Sequence, residues 1–332
     1  MKILVTGAAG FIGAHVTKAL LERGESVTGI DNLNDYYPVA LKQARLRRLI
    51  GPHPDFHFVA GDLADPATLN AAAAGGSIKK IIHLGAQAGV RYSIENPRAY
   101  AHSNLVGQLE MLELARSLAV DHLVYASSSS VYGDAARLPL SVDDRVDRPV
   151  SFYAATKKSN ELMAESYAHL YRIPMTGLRF FTVYGPWGRP DMALWRFTER
   201  VLAGTPLPIY NHGAMKRDFT YIDDIVAGVL AALDRPPADD GAVKPGGAQS
   251  PHAVYNLGND SPEELGRLVA LVGQACGREP ILDYLPMQAG DVTATWADID
   301  PARRDLGYDP ATPLAVGVPA FVDWYRAYTG AP

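Results

Sequence analysis

A single cysteine, Cys276, stands in 332 residues. One thiol cannot close an intramolecular disulfide or build a thiolate metal cluster, and such scarcity fits a reducing compartment. Positive charge is also short. The 31 lysines and arginines are outnumbered by 36 aspartates and glutamates, for a net charge of -5, which leaves no basic field to neutralise a phosphate backbone, so no nucleic-acid partner is expected. No apolar run approaches the roughly 18 residues that would span a bilayer. The small-residue stretch MKILVTGAAGFIG at the N-terminus is broken by glycines and continued by a helical pattern, Phe11, Ile12, Val16, Leu20 and Leu21, rather than by a cleavage site. A cytoplasmic protein with no membrane partner is therefore expected. What the chain does have is 48% hydrophobic and 20% charged residues, the composition of one large or two ordinary globular domains.

Apolar, β-rich runs alternate with helical patterns through the first half, at 2 to 5, 26 to 30, 56 to 59, 80 to 84, 122 to 126 and 175 to 180. Most of the intervening segments are long enough for a crossover helix. This alternation predicts an α/β fold, a doubly wound parallel sheet with helices on both faces. After Phe181 the rhythm degrades, with Pro186, Pro190, Pro206 and Pro208 and a polar, glycine-rich stretch at 238 to 251. The expected division is 1–180 as a nucleotide-binding domain and 181–332 as a smaller substrate domain, some segments of which return to the first.

Gly7, Gly10 and Gly13 follow the first strand and open the first helix. In that context Gly7 permits a tight turn, Gly10 lets backbone approach a pyrophosphate, and Gly13 permits close packing of helix on sheet. Phe11 and Ile12 lie between them and are further candidate cofactor contacts. Asp31 ends the second strand, 18 residues beyond Gly13, where an acid accepts from the adenosine ribose diol and repels a 2'-phosphate, so NAD is expected rather than NADP. Asp62, with Leu63 beside it, follows the third strand where the adenine would lie; a turn aspartate is the alternative for Asp62.

The stretch YASSSSVYG at 125 to 133 sets four hydroxyls at the end of a strand. Serine clusters are ordinarily solvated loops, but these are flanked by β-branched and aromatic residues, and ligands of such sheets bind at the carboxyl ends of strands. Farther on, Tyr153 and Lys157 are four apart on a predicted helix running to Tyr171 and so share one face. An ammonium and an oxidised nicotinamide would both favour the phenolate of a tyrosine whose ordinary pKa is about 10. A Tyr/Lys pair on a solvated helix face is the alternative for an isolated occurrence.

Together the glycine trio, Asp31, the strand-end serines and the Tyr153/Lys157 pair resemble the extended short-chain dehydrogenase/reductase family, in particular its nucleotide-sugar epimerases and dehydratases. The resemblance covers essentially the whole chain. It implies that Ser128, four residues before the tyrosine of the ValTyrGly step, joins Tyr153 and Lys157 as catalytic residues. Relatives that dehydrate or decarboxylate usually carry acids just after that hydroxyl; this chain has Ser129 and Ser130, which leaves epimerisation. The same resemblance places Arg217 on the substrate pyrophosphate, where a charged surface turn is the alternative, and Gly290–Asp291 at the uridine ribose, with Gln288 where many relatives have an arginine. The stretches at 87 to 93, 179 to 192 and 210 to 213, which contain Arg91, Thr182, Arg189 and Tyr210, resemble those of UDP-glucuronate 4-epimerases.

The implied reaction is reversible 4-epimerisation of UDP-glucuronate through a 4-keto sugar, with NAD carrying the hydride and a homodimer as the working unit. Ser129, Thr182 and Arg189 are the candidates for holding the sugar carboxylate so that the β-keto acid keeps its carbon dioxide; an arginine suits a carboxylate by its bidentate fork. For Arg189 a solvated turn residue is the alternative. A UDP-glucuronate decarboxylase, a UDP-glucose 4-epimerase and a non-catalytic NAD-binding regulator are the competing readings. His83 is expected to be a buried structural histidine.

Overall fold

The computed structural model describes residues 1–331 except 75, 136, 289 and 290. Its strands, in chain order, are β1 (Lys2–Thr6), β2 (Ser26–Asp31), β3 (Phe56–Ala60), β4 (Ile78–His83), β5 (His122–Ser128), β6 (Met175–Phe180), β7 (Thr182–Tyr184), β8 (Leu207–Ile209), β9 (Lys216–Tyr221), β10 (His252–Leu257), β11 (Pro262–Glu264) and β12 (Leu282–Tyr284). The large sheet runs β10-β6-β5-β4-β1-β2-β3, and every neighbouring pair is parallel. Strands such as β1 (KILVT) read as near-continuous apolar runs because they are covered on both faces. The order reverses between β1 and β4, which opens a crevice at the carboxyl ends of the central strands.

One face is covered by the helix Phe11–Glu22, which packs against the helix Ile222–Asp234 through residues such as Val16, Leu20, Ile225 and Val229. The other face carries the helices Gly107–Leu118 and Phe152–Tyr171, with Met111, Leu112, Ala164 and Ala168 in its core. A third apolar cluster lies in the later part of the chain, around Trp195, Phe197, Leu268, Val272 and Phe321, beneath two small sheets, β11-β9-β7 and β12-β8. Two differences from the sequence reading matter for the site. β5 continues through Ser127 and Ser128, which pair with Arg179 and Phe180 of β6, so half of the serine cluster is sheet. β10, the run HAVYNL outside the alternating first half, completes the sheet with 71 residues, 181–251, between it and β6, because pairing with β6 offers it a fully buried place. Among the described residues no helix is long and apolar enough to cross a membrane.

Candidate active site

The turn after β1 is shaped by sterics. Gly7 has φ +68, and a Cβ on Gly13 would lie 2.0 Å from the Gly7 carbonyl oxygen, so the helix Phe11–Glu22 approaches the turn as only glycine permits. That helix has no side-chain cap and no acid in its first turn, which leaves N–H groups and the positive end of the helix dipole for an anion. Asp31 supports the turn: its carboxylate accepts from the N–H of Ala9 (3.1 Å) and of Leu33 (2.9 Å). Asp62 accepts from the N–H of Ala64 at 2.8 Å, a turn aspartate by bonding, and also faces the cleft with Leu63. A bare helix N-terminus, a glycine cradle and an acid at the end of β2 are the donor and acceptor set that a dinucleotide requires, and the residues fit NAD.

The serines divide the labour. Ser127 is buried, and its hydroxyl donates to Glu161 at 2.7 Å. Ser128 Oγ accepts from the N–H of Ser130 (3.2 Å) and from its hydroxyl (2.9 Å), so its own proton is free to donate to the phenol oxygen of Tyr153. Ser129 faces the cleft. Burial pushes the Tyr153 phenol above its ordinary pKa, while the Ser128 hydrogen bond and the charge of Arg189 pull it down. Lys157 donates to the carbonyl of Ala126 at 2.9 Å, and burial lowers its pKa to about 8. The charge of Arg189 thus also reaches Tyr153, while Lys157, on the same helix face, is held at β5 by its bond to Ala126.

Farther along the cleft, Arg91 donates to Asp291 at 2.9 Å and lies 5.2 Å over the Tyr210 ring. Arg217 is lowered by burial and feels the charges of Asp291 and Arg91. Two guanidiniums beside one carboxylate and an aromatic ring suit a diphosphate with its nucleoside. The Oε1 of Gln288 is buried without a hydrogen-bond partner among the described residues, and Gly290 lies outside them. Gly290 apart, every cofactor, catalytic and substrate residue nominated from sequence lines a single cleft of about 1170 Å³. His83 does not; it shares a 2.7 Å hydrogen bond with the Thr6 hydroxyl, whose oxygen accepts from the N–H of Gly85, and burial lowers its pKa to about 3, so it is a neutral tie between β1 and β4.

The sequence reading missed several cleft residues. Arg189 places Nε and Nη2 on the carboxylate of Asp191, at 3.0 and 2.7 Å, and Tyr36 donates to the same carboxylate at 3.2 Å. The expected grip of the Arg189 fork on a sugar carboxylate is therefore modified, because two of its donors face Asp191. Tyr36, Tyr92, Tyr100 and Tyr153 follow one another at centroid spacings of 4.8, 6.2 and 5.9 Å. The pair Tyr36–Tyr37 soon after Asp31 was the available signal; nothing local marks Asp191 as the partner of Tyr36, 155 residues away.

Residues 3–258 match the model of the NAD dependent epimerase/dehydratase family. The chain is 48% identical to a probable UDP-glucuronate 4-epimerase of Rhizobium meliloti, over 99% of each chain. With a UDP-glucuronate 4-epimerase of Arabidopsis thaliana it shares 47% identity, over 98% of this chain and 75% of that one. Among solved structures, the UDP-glucuronic acid 4-epimerase of Bacillus cereus in complex with UDP-glucuronic acid and NAD superposes with a TM-score of 0.88 at 33% identity, covering 99% of this chain and 100% of that one.

Proposed function

The chain belongs to the NAD dependent epimerase/dehydratase family, and from that premise we propose that it interconverts UDP-glucuronate and UDP-galacturonate by epimerisation at carbon 4. The observation that carries the substrate reading is that Tyr153 and Arg189 line the same cleft, with the guanidinium's charge favouring the phenolate, which sets an acid/base in one site with a cation able to meet a carboxylate.

Tyr153 takes the proton of the 4-hydroxyl and later returns it, helped by the Lys157 ammonium, whose charge favours the phenolate, and by the Ser128 hydroxyl, which donates to the sugar or phenol oxygen as charge develops. NAD, held by the Gly7–Gly13 turn and Asp31, with Phe11, Ile12, Asp62, Leu63 and Lys157 as further contacts, supplies a reversible hydride acceptor when bound. Arg91, Arg217 and Asp291 with Tyr210 hold the UDP end, in the same cleft as Tyr153, and the sugar presents either face to the cofactor while the nucleotide stays anchored. Ser129, Thr182 and the remaining edge of Arg189 hold the carboxylate out of line with the carbonyl π system, which opposes loss of carbon dioxide. Residues up to about 180 form the nucleotide half and the rest the sugar half, with segments of the latter returning to the sheet.

The protein works in the cytoplasm as a homodimer in this reading. Val106, Leu109, Leu162 and Tyr171, on the helical segments at 101–118 and 152–171, are exposed apolar residues, and pairing of these helices across a two-fold axis would cover them. A stable monomer at micromolar concentration in light scattering would contradict it. The decisive test of function is incubation with UDP-glucuronate and NMR identification of the product. UDP-galacturonate with little UDP-pentose is expected. Mainly UDP-pentose would make it a decarboxylase, turnover of UDP-glucose alone a neutral-sugar epimerase, and bound NAD without turnover a regulator.

A further inference from the structure

Arg45 is fully buried, yet no carboxylate among the described residues bonds to it. Its N–H groups make five hydrogen bonds to four acceptors instead. Nε and Nη2 both reach the carbonyl of Trp187, at 3.0 and 2.7 Å, and Nη2 also reaches that of Gly188 at 3.1 Å. Nη1 reaches the carbonyl of Ala9 at 3.0 Å and the hydroxyl of Tyr37 at 2.7 Å. A buried cation satisfied wholly by backbone and one phenol is a costly arrangement unless its geometry is needed.

What it holds is informative at both ends. Ala9 belongs to the glycine turn at the cofactor end of the cleft, with its N–H fixed by Asp31 and its carbonyl by Arg45. Trp187 has φ +64, a left-handed conformation that a bulky residue adopts only when its surroundings impose it; here those are the doubly bonded carbonyl and the rings of Trp324 and Tyr328 at 5.2 and 5.6 Å. Gly188 leads directly into Arg189. Arg45 itself sits where its helix widens, the N–H of Gly51 donating to the carbonyl of Leu46, a local departure of the kind often found near functional sites.

We propose that Arg45 is a positioning residue: it locks the turn 187–188 to the cofactor turn and so sets Arg189 at a fixed distance from the reacting carbon. This rests on the reading that Arg189 receives the uronate. Arg45 touches neither ligand and acts through the two turns.

The test uses Arg45→Met and Arg45→Lys, alone and combined with Arg189→Ala. Misplacement of this kind is expected to lower kcat/KM for UDP-glucuronate on the order of tenfold to a hundredfold. Inhibition by UDP, which lacks the sugar, is expected to stay as in the wild type. In the Arg189→Ala background the further loss should be much smaller than alone, as for residues acting through one another. A general loosening of the fold would weaken UDP as well and would add to the Arg189 loss; either result overturns the proposal. Arg45→Lys keeps the buried charge with fewer donors and carries the same comparison if the methionine variant does not fold. The cofactor arm is read separately as NAD released from purified protein on dialysis. Faster release than from Arg189→Ala is expected, and retention equal to the wild type would overturn the locking of the two turns even if UDP-glucuronate proved not to be a substrate. Absence of UDP-glucuronate turnover by the wild type would count against the substrate reading alone.

Discussion

Replacing Glu161 by glutamine should destabilise the protein by about 3 kcal/mol at neutral pH. Glu161 lies one turn beyond Lys157 on the helix that carries Tyr153, and both it and Arg179 are almost fully buried, with 3% and 2% of their side chains exposed. Its oxygens receive Nε and Nη2 of Arg179 at 2.8 and 2.9 Å, the Ser127 hydroxyl at 2.7 Å and Lys158 at 3.2 Å. Burial by itself would raise the carboxyl, but the hydrogen bonds and charge of Arg179, with Lys158 and Ser127, outweigh it and bring the pKa from 4.5 to about 2. Glutamine resembles the protonated acid, so the gap between those values, at about 1.36 kcal/mol per pH unit, gives the figure of about 3 kcal/mol. For a chain of this length that corresponds to a fall in Tm of about 4 °C. The sign follows from the depressed pKa: the contribution is complete above about 4.5 and disappears as the pH falls towards 2. Thermal melts of both proteins from pH 8 downwards should therefore run parallel and then converge in acid. Because Ser127 precedes Ser128, the glutamine variant should also lose turnover. Equal melting temperatures at pH 7, or a gap that widens in acid, would refute the reasoning.

Tyr153→Phe should keep fold and bound NAD but lose roughly 100- to 10,000-fold in rate, since only the acid/base group is deleted; a near-wild-type rate would exclude the role. Lys157 loses its charge as the pH rises through about 8, so the wild-type rate profile should carry a step there that Lys157→Met lacks, and an identical step in the variant would assign it elsewhere. Gly13→Ala puts a methyl 2.0 Å from the Gly7 oxygen; backbone must move, at a cost of about 1 to 3 kcal/mol, with loss of NAD measurable in the denatured supernatant. Arg189→Ala should weaken use of UDP-glucuronate relative to UDP-glucose and raise the decarboxylated share of product by NMR, and no change in either would detach it from the carboxylate.

The parts of this site that could be read from sequence are those whose partners are neighbours in the chain. Gly7, Gly10 and Gly13 declare a turn within seven residues, Asp31 closes the next strand, and Tyr153 and Lys157 share a face by helical spacing alone. Arg91 and Asp291, 200 residues apart, came only from resemblance. Arg45, Asp191 and Glu161 stayed hidden because their significance lies in pairing: a charged residue on a helix is ordinarily solvated, and nothing local says that Arg45 ends on a carbonyl 142 residues away. The same limit applies to the fold. β1 to β6 alternate with helices and were legible, whereas β10 follows a polar loop and becomes a strand only because β6 would otherwise be left with an unpaired edge.

That last strand bears on how the protein can be taken apart. β10 joins the large sheet along six residue pairs, and the helix Ile222–Asp234 covers the face shared with Phe11–Glu22, so the chain crosses between its two halves more than once. An engineer who wished to graft the sugar-recognising half of a relative onto this chain cannot do it with one junction after β6, since that cut would carry away both an outer strand and a covering helix of the recipient. On the proposed division of labour, substrate recognition and cofactor housing are interleaved like two hands of cards, and a viable chimera must exchange the segments around β7 to β9 and β11 to β12 while leaving 222–234 and 252–257 in place.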